Sequence, residues 1–116
     1  MSIIKVALCE GRHTMPEGVQ GSIFPNTINP TDVESIEQIA LDFMEAHKED
    51  DVHVYVTGLT VALVAVINAA VKVQCADLTL HHYDRDTGDY FQQPVDTGDH
   101  LRYENWCLMM DLWGHR

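Results

Sequence analysis

The fold is decided by residues 51–90, DVHVYVTGLTVALVAVINAAVKVQCADLTLHHYDRDTGDY. Val52 to Val56 alternates and is rich in β-formers, so it reads as a strand. Thr57-Gly58-Leu59-Thr60 is a turn. Val61 to Val73 is apolar on nearly every side, as a helix packed on a sheet would be. Asp77 to Tyr83 is a second strand. Two strands joined by a helix of this length predict a βαβ unit with parallel strands and a right-handed crossover. Ligands of such units sit outside the carboxyl ends of the strands. That edge carries Thr57, Gly58, Leu59 and Thr60, with His82, Asp84 and Arg85 after the second strand.

Upstream, Ile3 to Cys9 is apolar apart from Lys5 and reads as a central parallel strand. It runs into a polar loop, Glu10-Gly11-Arg12-His13. Prolines and glycines punctuate the chain from there to Pro30, which predicts loop. Within it Gly21 to Phe24 has the character of a short edge strand. A helix over Asp32 to His47 follows from apolar positions Val33, Ile36, Ile39, Ala40, Phe43 and Met44. Thr31 or Asp32 opens it, with Thr31 and Glu34 spaced much as in a capping box, and Lys48 lies near the helix end, where a cation suits the dipole. Asp84 to Asp89 is a turn, and Tyr90 to Val95 returns as an antiparallel edge strand. Together these patterns predict one three-layer α/β domain over residues 1–116. Ile3–Cys9, Val52–Thr57 and Asp77–Tyr83 are its neighbouring parallel strands, and a hairpin closes it on the C-terminal side.

Composition excludes several function classes. The 116 residues carry 18 acids against 7 Lys and Arg, a formal charge of −11. Such a field repels duplex nucleic acid and anionic membrane, which need clustered cations. A small anionic ligand is still admissible, held by a few cations and helix N-terminal amides. Cys9, Cys75 and Cys107 are odd in number and far apart. We therefore expect neither a disulfide framework nor a cysteine zinc site. Ile3 to Leu8 is short and runs straight into polar residues, so no signal peptide is expected. Val61 to Val73 is too short to span a bilayer. The expected compartment is the cytoplasm.

Chemistry-bearing residues are few. Thr57-Gly58-Leu59-Thr60 leads into a helix whose exposed amides would favour an anion. Equally, Gly58 could simply permit a tight turn and Thr60 cap the helix. The stretch contains neither a G-x-x-x-x-G-K nor a G-x-G-x-x-G pattern. Of seven histidines, His13 is the candidate catalytic residue: beside Arg12, it pairs a phosphate contact with a proton carrier, which suits phosphodiester cleavage, and the alternative is a plain surface loop pair, since loops carry polar residues anyway. His81 and His82 are adjacent on a strand and so face opposite sides of the sheet. Asp84, Asp86 and Asp89 fail the calcium-loop pattern and fit a hairpin turn. No metal or other cofactor is expected. The aromatic and Met-rich tail from Asp99 has mixed charges, and packing on the domain or across a dimer suits it better than a membrane.

The stretch VYVTGLTVALVAVINAA followed by ADLTLHHYD resembles the CRISPR-associated Rossmann-fold (CARF) domains. These have a strand ending in a T-G-G-T-like turn, an apolar helix rich in small residues, and a second strand. The resemblance covers about a third of the chain. It departs from the pattern at Leu59, where the second glycine stands, and at Val61, where a lysine is common. It implies a Rossmann-like domain, a homodimer, and a cyclic oligoadenylate ligand held across the two-fold axis. Slow metal-independent cleavage in the manner of a ring nuclease is a further implication, in prokaryotic antiviral defence or phage counter-defence. Carried onto this chain, the ligand contacts are Glu10, Gly11, Arg12, Thr57, Gly58, Leu59, Thr60, His82 and Arg85, with Arg12 and Arg85 supplying the missing lysine's charge. The alternative is an acidic bacterial or phage interaction protein with no small ligand, whose surface blocks a nucleic-acid-binding partner.

Overall fold

A computed structural model describes residues 2–11 and 14–97. Arg12, His13, Cys107 and the aromatic tail lie outside the described residues. The order is β1 (Ile3–Cys9), β2 (Ser22–Phe24), α1 (Val33–Ala46), β3 (Asp51–Tyr55), α2 (Thr60–Val73), β4 (Asp77–Asp84) and β5 (Asp89–Val95). The five strands form one sheet in the order β2-β1-β3-β4-β5. The first four are parallel and β5 is antiparallel to β4. The α/β class, the mainly parallel sheet and the added hairpin are as the sequence predicts.

Register fixes the two faces. Ile4, Val52 and Leu78 are in line across β1, β3 and β4, and so are Val6, Val54 and Leu80. All but the half-buried Ile4, which packs against them, join Leu8, Ile36, Ala40, Met44, Ala62, Val66 and Ala70 in one buried cluster. The two helices pack against each other over this face. Ala62, Ala65, Ala69 and Ala70 give α2 a small-residue surface that lets it lie close to the strands. The opposite face carries Lys5, His53, Tyr55, Thr79, His81 and Tyr83, which alternate with the core positions.

The chain moves one way from β2 through α1 to β3 and through α2 to β4. It moves the other way from β1 to β2. A right-handed connection in that reversed direction passes over the face opposite the helices. No helix is built there from described residues. Instead the segment from Thr14 runs as an extended crossing: Thr14, Met15 and Pro16 border a cavity with Tyr83 and Tyr90. Gln20 then docks on β1, donating its amide to Lys5 O at 2.7 Å and accepting from Lys5 N through Oε1 at 3.1 Å. Among the described residues the third layer is this loop and no helix.

The helix ends are closed by particular residues. Asp32, not Thr31, caps α1: its Oδ1 accepts from Ser35 N at 3.2 Å and its Oδ2 from Ser35 Oγ at 2.8 Å. Thr31 is drawn to Asn29 Oδ1 instead. Lys48 falls beyond the last turn of α1 and pairs with Glu45 at 3.3 Å. The C-terminus of α2 closes through Gln74, which adopts φ +53° while Cys75 N returns to Ala70 O. That is a Schellman-type closure with glutamine where glycine is usual.

Candidate functional site

The winding reverses between β1 and β3, and the crevice outside the carboxyl ends of the strands at such a reversal is the place where open α/β sheets take their ligands. One buried hydrogen bond holds the crevice together. Thr57, 1% exposed, accepts from Cys9 N through Oγ1 at 3.1 Å. It joins the exit of β1 to the exit of β3 from inside, so Thr57 positions the turn and lies below its surface. Gly58 and Thr60 stand exposed above it.

Gly58 has no folding duty that the structure reveals. Its φ is not in the left-handed region, and a Cβ built there meets nothing within 4 Å. The reading in which Gly58 only permits a tight turn is therefore corrected. Nor does Thr60 cap α2: the N-cap is Leu59, and no side chain supplies a cap hydrogen bond. A helix begins with amides that have no intrahelical partner. In α2 Ala62 N bonds Leu59 O at 3.1 Å and Leu59 N bonds Thr57 O, but no side chain caps the turn, so the Thr60 and Val61 amides and the partial positive charge of the N-terminus stay available. Leu59 N turns back onto Thr57 O at 2.6 Å, which tightens the bend. The other loop of the crevice is formed by Glu10, exposed with its amide bound to Phe24 O, and by Gly11. Gly11 sits at φ +73°, a backbone conformation that other residues adopt only with strain, so the bend of this loop favours glycine.

The remaining sequence candidates belong to β4 and the turn after it. His82 faces β5, with Nε2 2.7 Å from Gln93 Oε1 and its ring 5.3 Å from Phe91. Arg85 is exposed in the β4–β5 turn. That turn is shaped by Asp84, whose Oδ1 accepts from Asp86 N at 2.9 Å and whose carbonyl accepts from Gly88 N at 2.8 Å. Among the described residues no group of three or more His, Cys, Asp or Glu is arranged to hold a metal ion. None of the described helices is long and apolar enough to cross a membrane.

One cluster escapes sequence reasoning. On the face opposite the helices, Asp51 Oδ1 lies 3.2 Å from His53 Nε2, and His53 Nδ1 lies 2.8 Å from His81 Nε2. Tyr55 stacks on His81 at 4.3 Å and meets Tyr90 edge-on at 5.1 Å. Burial pushes the His81 pKa down, and the nearby His53, Lys5 and His82 push it the same way. Each of these residues occurs at an alternate position of its strand, but only the register that pairs His53 with Thr79 and Tyr55 with His81 across β3 and β4 makes the two histidines diagonal neighbours on one face.

Comparison of the chain with protein-family models, with curated proteins and with solved structures returned no match.

Proposed function

We propose that the protein binds a small cyclic oligonucleotide, of the cyclic oligoadenylate kind, at the β1/β3 crevice. The observation that carries this reading is the uncapped N-terminus of α2, entered through a glycine that neither backbone conformation nor packing demands. A phosphate at that point takes the free amides and lies along the favourable end of the helix dipole. The open space over Gly58 lets the ligand backbone come close. Thr60, exposed in the first turn, offers a hydroxyl beside it. The resemblance of residues 54–84 to CARF domains points to the same turn and supplies the ligand class. On this reading two copies pair about a two-fold axis and enclose the ring, which doubles the few cations the acidic chain provides. Arg12 contacts phosphate, and His13 moves the proton in a metal-independent cleavage that yields a cyclic 2′,3′-phosphate.

A thermal-shift panel of cyclic oligoadenylates of several ring sizes tests the binding. One ring size should raise the melting temperature of the wild type, and Gly58→Val should remove the shift without lowering the unliganded melting temperature. No shift with any ring at millimolar concentration would overturn the reading and leave the ligand-free interaction protein in its place.

A further inference from the structure

We infer that Asp51, His53 and His81 form a site that binds a single proton, takes it up at one imidazole and stores its charge on the other. The site lies on the sheet face opposite the helices and does not depend on the ligand reading above.

The geometry dictates the tautomers. The Asp51 carboxylate is acceptor-only, so it selects the His53 tautomer with the proton on Nε2. His53 Nδ1 is then a lone pair. At 2.8 Å from it, His81 must donate from Nε2, which leaves the lone pair of His81 on Nδ1. Nε2 is the hydrogen-bonded nitrogen of His81, and no buried side-chain nitrogen or oxygen among the described residues lacks a partner. His81 Nδ1 therefore reaches the surface even though the residue is only 6% exposed.

A proton arriving at His81 Nδ1 forms an N–H bond there. The Nε2–H bond of His81 breaks as its proton passes to His53 Nδ1. His81 ends neutral with its tautomer inverted, and His53 ends as an imidazolium donating both to His81 Nε2 and to Asp51. The inter-imidazole hydrogen bond survives with its direction reversed. A second proton cannot be accommodated in this way, because both facing nitrogens would then be donors at 2.8 Å.

The surroundings favour one proton and oppose two. From β1, Lys5 is in register with His53 and adds positive charge beside the pair. From β3 come Asp51, the carboxylate that stabilises the first charge, and Tyr55. From β4 come Tyr83 and, in register with Asp51, Asp77. From β5 come Tyr90 and the neutral Gln92 and Pro94. Glu17 is the titratable group of the described crossing segment, and it is exposed. The His82 ring points to the other face but adds to the field. Tyr55 couples the pair to the rest of the face. It stacks on His81 and abuts Tyr90, which walls the cavity of about 490 Å³ with Tyr83 and Thr14–Pro16. The first proton leaves this wall intact, and the second breaks the pair and frees Tyr55.

Long-range proton–nitrogen NMR of the imidazoles, followed from pH 8 to pH 4.5, tests the site. At pH 8 both rings should carry their proton on Nε2, with a downfield, exchange-protected proton between them. Through the first titration step His81 should invert to the Nδ1–H form while the downfield signal persists. The signal should vanish only at the second step, together with a shift of the Tyr55 ring resonances. Asp51→Asn should weaken first-step proton affinity about tenfold or more, and His53→Gln should collapse the two steps of the pair into one. Histidines that titrate in single independent steps with unchanged tautomers in the wild type would overturn the inference, as would a first step indifferent to Asp51→Asn.

Discussion

Thr57 Oγ1 accepts a hydrogen bond from Cys9 N at 3.1 Å, and this buried contact joins the exits of β1 and β3 forty-eight residues apart. It makes the crevice a consequence of packing. Cys9 N leaves the sheet ladder at the point where the chain turns into its first loop, and the hydroxyl satisfies it. Thr57→Val keeps the shape and strands that amide, which should cost about 1–3 kcal/mol. Thr57→Ser should cost less, since it keeps the oxygen. Urea unfolding of both variants checks this: a larger loss in Thr57→Ser than in Thr57→Val would show that the methyl group, and not the hydroxyl, matters.

Gly58 and Thr57 are neighbours with opposite roles. Gly58→Ala meets nothing within 4 Å and needs no left-handed backbone. It should therefore leave stability unchanged or raise it by about 0.4–1 kcal/mol, because alanine restricts the unfolded chain. A loss beyond about 1 kcal/mol in chemical denaturation would mean that the turn needs glycine for folding, and would remove the main support for a ligand there.

Gln74 closes α2 at φ +53°. An L-residue pays about 1–2 kcal/mol for that conformation, and glycine does not. Gln74→Gly should raise the melting temperature by a few degrees, an effect of up to about 1 kcal/mol once the greater freedom of glycine in the unfolded chain is subtracted. Unchanged or lower stability would mean that the Gln74 side chain contributes an interaction of its own.

Stability should fall on mild acidification. The pKa of His81 is held below its ordinary value near 6.5, first by burial. The unfolded chain therefore binds this proton more readily than the folded chain does. The contribution is fully present above about pH 6.5 and drains as pH falls through the lower, folded value. Melting temperatures between pH 8 and pH 5 should decline in the wild type and decline less in His81→Gln. Parallel curves would assign the acid sensitivity elsewhere. Asp50, whose carboxyl is lowered chiefly by the hydrogen bond with His47, acts at more acidic pH and stays outside this window.

Much of the fold was legible because its signals are local. Ile3–Cys9 is an apolar run of strand length, Asp77–Tyr83 begins with apolar and polar residues in alternation, and Val61 to Val73 is too long and too evenly apolar to be anything but a buried helix. The hairpin was visible from Asp84 to Gly88. What was not legible depends on register or on competition between near-equal caps. Thr31 and Asp32 both suit an N-cap, and Asn29 decided between them by taking the Thr31 hydroxyl. Thr57 looked like a ligand contact until its hydroxyl was found turned inward. The Pro and Gly pattern after Gly11 announced a loop but not its path across the sheet. Asp51, His53 and His81 were ordinary strand residues in one dimension. A D-x-H on one strand and a histidine two residues short of the end of an H-x-Y on the next is a signal only when the strands are known to be neighbours in this register.

Ligand binding at the start of α2 is the central claim, and a two-dimensional amide NMR titration with a cyclic oligoadenylate tests it most directly. The account predicts that the Gly58, Thr60 and Val61 amides move first and furthest on saturation, with Gly11 following. Calorimetry on the same samples should show at least a tenfold weaker affinity in Gly58→Val, the size of one lost charged contact of about 1.5–3 kcal/mol. Tight binding that leaves these four amides in place and perturbs β5 or the helix surface instead would contradict it.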